Sequence, residues 1–256
     1  MSNRWILNSD PIPRTQYRLF FFPPAGRGAS MYAKWSKGFP PGLHVCPVQL
    51  PGRENRLRET PFTSMSSLLE TLIPALENWF DVPFVFFGHS MGAIIGFELA
   101  RELRKQGLNE PVHLFVSARR PPHLKEPHPP IAHWPESAFL EEVQRRYGGI
   151  PEAVFQDSEM RDLILPTLRA DFSLLEQYEY WSGPPLSYPI TAFGGSLDLD
   201  VSKEELEGWR EHTTHSFQLQ LLPGDHFFLL DTSEEVIRLV MEAMGEVGQL
   251  PSVRVR

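Results

Sequence analysis

The sequence predicts an α/β protein: a mostly parallel sheet with helices on both faces, interrupted by a helical insertion over residues 121–186. Three features of the 256-residue chain lead there. Short apolar runs alternate with longer stretches whose apolar residues recur at helical spacing, the order of successive β-α units. Those runs are near-continuously apolar, as strands covered on both faces are. The alternation then breaks at Pro121–Pro135, which holds six prolines and three histidines, and resumes at Ile190.

The elements follow in order. Residues 1–16 are polar and proline-punctuated, an arm on the surface. Tyr17–Phe22 is the first strand, and Pro23–Gly28 the loop after it. A helix is expected from about Ser30 to Lys37, with Tyr32 and Trp35 inward. Leu43–Val48 is the second strand. Ser67 and Glu70 have capping-box spacing for a helix reaching about Phe80, kinked at Pro74. Phe84–Phe87 is the third strand. Met91–Gln106 is a helix whose Ile94, Phe97, Ala100 and Leu103 form one face, stopped by Gly107. Val112–Val116 is the fourth strand. Inside the insertion, Phe139, Leu140, Val143 and Tyr147 mark a helix ended by Gly148-Gly149, and a second runs from about Ser158 to Tyr178, bent at Pro166. Ile190–Phe193, a helix from about Ser202 to Glu211 and the strand Phe217–Leu222 follow. Thr232 and Glu235 cap a last helix ending near Gly245, and 246–256 form a loose tail.

Composition bounds the function. The length suits one α/β domain, 1–256, with the insertion lying over the carboxyl edge of the sheet as a lid. A net charge of −8 argues against a general nucleic-acid binder. The single cysteine, Cys46, lies in an apolar run, which excludes a disulfide framework and a thiol metal cluster. No stretch reaches membrane-span length and the first residues lack a signal-peptide core, so a cytoplasmic protein is expected.

The chemistry centres on Gly88-His89-Ser90-Met91-Gly92, a G-x-S-x-G between a strand and a long amphipathic helix. In such an elbow the turn strains the serine, small flanking residues let backbone approach, and the helix-opening amides, starting with Met91, face whatever bonds to the hydroxyl. A serine needs a base and the base a partner, ordered serine, acid, histidine along the chain. Of nine histidines, only His226 follows the last strand in a loop. His89 points away from its neighbour Ser90. Asp198 or Asp200, after the preceding strand, supplies the acid. Asp198 is favoured, with Asp200 as a turn or cap residue and Asp225 shaping the histidine turn. The second oxyanion donor belongs to the loop after the first strand. Pro24 has no N–H, so Ala25 or Gly26 provides it.

Taken together, Phe22–Gly28 (FPPAGRG), Gln49–Arg56 (QLPGRENR), Gly88–Gly92, Ser117–Pro121 (SARRP), Pro166–Phe172 (PTLRADF), Gly195–Asp198 and Leu222–Leu229 (LPGDHFFL) resemble the stand-alone type II thioesterases of nonribosomal peptide and polyketide assembly lines. The resemblance spans nearly the whole chain. It implies the α/β-hydrolase fold, a triad of Ser90, Asp198 and His226, and an oxyanion hole of Ala25 and Met91. It implies removal of misprimed or stalled acyl groups from the phosphopantetheine arm of acyl or peptidyl carrier proteins, under a mobile helical lid. Two departures stand out. Pro24 and Arg27 replace a histidine and a glycine of the family's Pro-His-Ala-Gly-Gly, and Leu199 replaces the proline after the acid.

Thioester cleavage needs no metal or cofactor here, because a thiolate leaves far more readily than an amine. An esterase or acyltransferase on small free (thio)esters would share the triad. A non-catalytic binding module would have no need of it. Leu163, Ile164, Leu168 and Phe172 cannot all face the sheet from one helix, so some are expected to line an acyl pocket. Arg27, Arg119 and Arg120, with Lys125 nearby and Arg53, Arg56 and Arg58 extending the cluster, are expected to form a basic entrance for an acidic carrier.

Overall fold

The computed structural model describes residues 3–7 and 15–246. Most of the N-terminal arm and the tail 247–256 lie outside the described residues. Within the arm, Trp5 and Ile6 are buried and Ile6 bridges Val48.

Among the described residues the sheet has six parallel strands. They are β1 (Tyr17–Phe22), β2 (Leu43–Pro47), β3 (Phe84–His89), β4 (His113–Ser117), β5 (Ile190–Gly195) and β6 (Phe217–Leu222), in the order β2-β1-β3-β4-β5-β6. The helices are α1 (Met65–Leu76), α2 (Met91–Lys105), α3 (Glu136–Tyr147), α4 (Glu152–Gln156), α5 (Ser158–Glu176), α6 (Lys203–Glu207) and α7 (Ser233–Glu246). This is the α/β-hydrolase architecture. None of these helices is long and apolar enough to cross a membrane.

Strand residues alternate between two cores. Phe20, Phe22, Phe84, Phe86, Leu114 and Ile190 face α1, α2 and α6. Leu19, Phe21, Val85, Phe87, Phe115 and Phe193 face α7 and the segment before β2. Each fully buried phenylalanine contributes roughly 1.5–3 kcal/mol, so this aromatic sheet is a large share of what holds the fold. A third cluster, with Ile131, Phe139, Val143, Leu168 and Phe172, forms within the helical segment between β4 and β5. That segment packs largely upon itself.

Several boundaries differ from the sequence reading. Residues 30–37 form two 3₁₀ turns, Ala29–Tyr32 and Trp35–Gly38, in place of an α-helix. At three residues per turn, Tyr32 and Trp35 align on one side, and both rings pack on Phe21 at 4.8 and 5.2 Å. Ser64, rather than Ser67, caps α1, its hydroxyl accepting from the Ser67 amide. The helix passes Pro74, ends at Leu76 and continues as a 3₁₀ turn, Glu77–Trp79. Ser202 and Glu205 form a capping box on α6, which is short and followed by the 3₁₀ turn Gly208–His212. Glu235 pairs with Arg238 instead of reaching back to Thr232, whose hydroxyl donates to the Phe228 carbonyl.

The sheet order reverses direction at β1, between β2 and β3. In open α/β sheets such a switch point opens a crevice at the carboxyl ends of the strands. The loop after β1 and the turn after β3 meet there.

Candidate active site

Ser90 sits between β3 and α2 at φ 52°, ψ −115°, a strained conformation for a residue with a side chain. Its amide donates to the Ser117 carbonyl at 2.8 Å, which holds the turn to β4. The flanking glycines have steric reasons. A Cβ on Gly88 would overlap the Gly92 carbonyl, and one on Gly92 would overlap that of Phe22. His89 turns away, its Nδ1 2.9 Å from Ser117 Oγ. Burial, and then the neighbouring His226, hold its pKa well below 6.5, so it stays neutral.

The loops after β5 and β6 bring the remaining groups. Gly195 has no room for a side chain against the Asp225 carbonyl, which lets the two loops touch. The Leu197 amide donates to the Gly224 carbonyl at 2.8 Å. Asp225 accepts from the Phe227 amide at 2.8 Å and so shapes the turn. His226, 3% exposed, then stands with Nε2 3.0 Å from Ser90 Oγ and Nδ1 2.9 Å from Asp198 Oδ2. The other Asp198 oxygen accepts from the Asp200 and Val201 amides at 2.9 and 3.3 Å, which fixes the carboxylate.

Asp200 faces elsewhere. Its Oδ1 lies 3.1 Å from His128 Nε2 without hydrogen-bond alignment, and its Oδ2 lies 3.7 Å from Arg120 Nη2. Burial raises its pKa, with Arg120 opposing.

A cavity of about 120 Å³ opens on Ser90 and His226. Its floor comes from Pro24–Arg27, its roof from α3, α5 and the Gly148–Pro151 loop. Ile164, Leu168 and Phe172 line it, whereas Leu163 is 48% exposed and does not. Tyr147 also lines it, its ring centroid 5.1 Å from that of His226.

The expected basic entrance is not assembled as a group. Arg120 is 1% exposed and is enclosed by Glu126, Glu205 and Asp200. Arg119 lines the cavity but pairs with Glu126 at 2.8 Å. Arg53 and Arg56 are buried, Arg53 against Asp171 and Arg56 against Glu59. Arg27 lines the cavity without a carboxylate partner among the described residues. Its guanidinium donates to the Gly149 carbonyl at 2.7 Å and lies over the Phe227 ring. Burial lowers its pKa.

Sequence reasoning assigned no site role to Tyr147, Phe227 or the Gly148–Pro151 loop. Phe227 could have been found from its place beside His226. The loop read only as a helix stop.

A strained serine at a strand–helix elbow, in a hydrogen-bonded chain with a histidine and an aspartate, defines a serine hydrolase of the α/β-hydrolase fold. A family model described as a thioesterase domain matches residues 17–243, and the chain belongs to that family of thioester hydrolases. Gramicidin S biosynthesis protein GrsT of Aneurinibacillus migulanus is 43% identical over 242 residues, covering 94% of each chain. The medium-chain S-acyl fatty acid synthase thioesterase of Homo sapiens is 34% identical, covering 87% of this chain and 84% of its own. The solved structure of BorB, a type II thioesterase from the borrelidin biosynthetic cluster, superimposes with a TM-score of 0.85 at 33% identity. It covers 95% of this chain and 99% of that one.

Proposed function

We propose that the enzyme hydrolyses acyl groups from the phosphopantetheine arm of carrier proteins in a nonribosomal peptide or polyketide assembly line. Ser90 is the nucleophile, His226 the base and Asp198 its orienter. The observation that carries this is the Ser90–His226–Asp198 chain opening into an apolar cavity. The relatives GrsT and BorB support the assembly-line setting.

The steps follow from the geometry. His226 Nε2 takes the Ser90 proton as Oγ attacks the thioester carbonyl carbon. The Ala25 and Met91 amides donate to the oxyanion. Neither has an acceptor among the described residues. Collapse expels the thiolate, which takes the proton from the imidazolium. Water, deprotonated by the same Nε2, attacks the acyl-enzyme and releases the carboxylic acid. Asp198 accepts from Nδ1–H throughout and keeps the tautomer that leaves Nε2 free. Val143, Ile164, Leu168 and Phe172 surround the acyl chain, and the Gly148–Pro151 loop with Arg27 borders the arm.

A panel of acyl-loaded carrier proteins, set beside the same acyl groups on N-acetylcysteamine, tests the proposal. Carrier substrates should show the higher kcat/KM, and a serine-reactive fluorophosphonate should label Ser90. Equal kcat/KM on both would make the enzyme a small-thioester esterase. Transfer to a second thiol or alcohol in place of hydrolysis would make it an acyltransferase.

A further inference from the structure

Of the sequence motifs, Gln49–Arg56 has no part in the steps above and Pro166–Phe172 lends only Leu168 and Phe172 to the acyl cavity, yet the two motifs meet beneath the loop after β1. Asp171 of α5 is 2% exposed. Its Oδ1 accepts from Arg53 Nη2 and its Oδ2 from Arg53 Nη1, both at 2.8 Å. The same Oδ2 accepts from the Gly26 amide at 2.8 Å. Arg53 also donates to the Arg27 carbonyl at 3.1 Å and the Pro51 carbonyl at 3.2 Å. Gln49, fully buried, accepts from the Ala29 amide and donates to the Arg53 carbonyl. The loop is therefore gripped at three backbone atoms: Gly26 N, Arg27 O and Ala29 N.

This grip leaves a single amide of residues 24–27 without an acceptor among the described residues. Pro24 has no N–H. The Arg27 amide closes a turn onto the Pro24 carbonyl at 3.2 Å, with Gly26 at φ 71° in its third position. Gly26 is taken by Asp171. Of the cavity-lining residues 24–27, Ala25 alone keeps an amide with no acceptor among the described residues. We propose that Asp171, itself held by Arg53, is a positioning residue for thioester cleavage: by accepting from Gly26 it locks the turn in the one form that aims the Ala25 amide at the oxyanion. The Ala25 N–H belongs to the preceding Pro24–Ala25 peptide, so the Gly26 bond acts on it by anchoring the turn. With that acceptor gone the turn can shift at the end of β1, and the Ala25 N–H loses its fixed direction. Gly26 suits this position twice over, by its positive φ and because a Cβ would come within 2.7 Å of Leu168.

This inference rests on the reading of Ala25 as an oxyanion donor, so the experiment separates the two. A pair that merely staples α5 to the loop would be replaceable by apolar groups, since exchanging a buried ion pair for well-packed apolar residues is often neutral for stability. The comparison is R53M/D171N against R53M/D171L. Both leave residue 171 uncharged and with the same branched side-chain skeleton, but only the first keeps an oxygen for the Gly26 amide. With acyl N-acetylcysteamine, D171L is expected to lose on the order of 10²-fold in kcat relative to D171N at similar KM and melting temperature, the size of effect seen on losing one oxyanion donor. Fluorophosphonate labelling of Ser90 should slow in the same proportion. Thr167→Val removes the bond from the Thr167 hydroxyl to the Gly52 carbonyl, a neighbouring staple between α5 and the loop after β2 that carries Arg53. It should lower the melting temperature and leave kcat unchanged. Equal kcat in the two double variants would overturn the proposal and leave the pair a staple. Should neither fold, the same comparison is made with Arg53 intact, Asp171→Asn against Asp171→Leu, and equal kcat in those two would overturn it as well. Failure of the wild-type enzyme to be labelled at Ser90 would instead overturn the catalytic reading itself.

Discussion

Asp198 and Asp200 lie on one loop and face opposite ways, and their replacement by asparagine should separate cleanly. Asp198→Asn leaves His226 Nδ1 facing an amide that can select the wrong tautomer, and kcat should fall by about 10⁴-fold. Asp200→Asn removes a carboxylate from the Arg120 cluster that makes no hydrogen bond to Ser90 or His226, and it should lower the melting temperature while kcat changes little. Steady-state kinetics and thermal melts on the two variants check this, and the reverse ranking would move the acid to Asp200. At this scale the sequence was most legible where chain order limits the choice. Ser90 stands in a local motif, and only one histidine follows the final strand. Arg120 was misread because nothing in Arg119-Arg120 announces that the second side chain turns inward onto Glu126, Asp200 and Glu205. Burial of a charge depends on partners 85 residues away, such as Glu205.

The loop between α3 and α4 joins the helical segment to the base. Gly149 has φ 78° and a Cβ there would stand 2.5 Å from the Phe227 ring, while Arg27 holds its carbonyl. A hydrogen bond from a charged guanidinium contributes about 1.5 kcal/mol net at the low end of its range, so Arg27→Ala should raise KM about tenfold through a loosened loop. Because the loop borders the cavity itself, the rise should appear with acyl N-acetylcysteamine as well as with carriers. A rise confined to carrier substrates would make Arg27 a docking residue only. On α5, Ile164 lines the cavity and is only half-buried, so Ile164→Ala should shift hydrolysis toward longer acyl chains with little loss of stability. Phe172 packs against Phe139 at 5.4 Å and its truncation should cost stability too. Chain-length panels read against melting temperatures distinguish the two. The periodicity of both helices was visible in the sequence. The direction in which Leu163 and Ile164 diverge was not, because it depends on where α3 packs. The 3₁₀ turns before β2 were equally hidden, since the aromatic cluster around Phe21 decides them over local preference.

Three buried histidines are held neutral across the molecule, and they set its acid limit. Burial is the first cause in each. It lowers His113 to about 3 and His212 to about 4, the latter with His123 2.8 Å away, and takes His89 well below 6.5. Unfolded, each titrates near 6.5, so between that pH and about 4 the unfolded chain binds more protons and stability falls as pH falls. The denaturation midpoint should therefore decline steadily from pH 6.5 to 4. His212→Gln should flatten part of that slope, and an unchanged slope would refute its share. The architecture at this scale was readable because parallel strands advertise themselves as apolar runs. The sheet order was not, since it is fixed by pairing among distant segments. That order has a consequence for how the enzyme comes into being. Ser90 and His226 are 136 residues apart, and the base follows β6, the final strand and the sheet's edge. A nascent chain leaving the ribosome with β1 to β5 complete carries its nucleophile but no base, and it presents β5 as an open edge. At about 5–20 residues per second the missing strand arrives within seconds. Until it docks, the newborn protein cannot harm any thioester in its surroundings, and the edge that must wait for β6 is where a stalled or truncated product would aggregate.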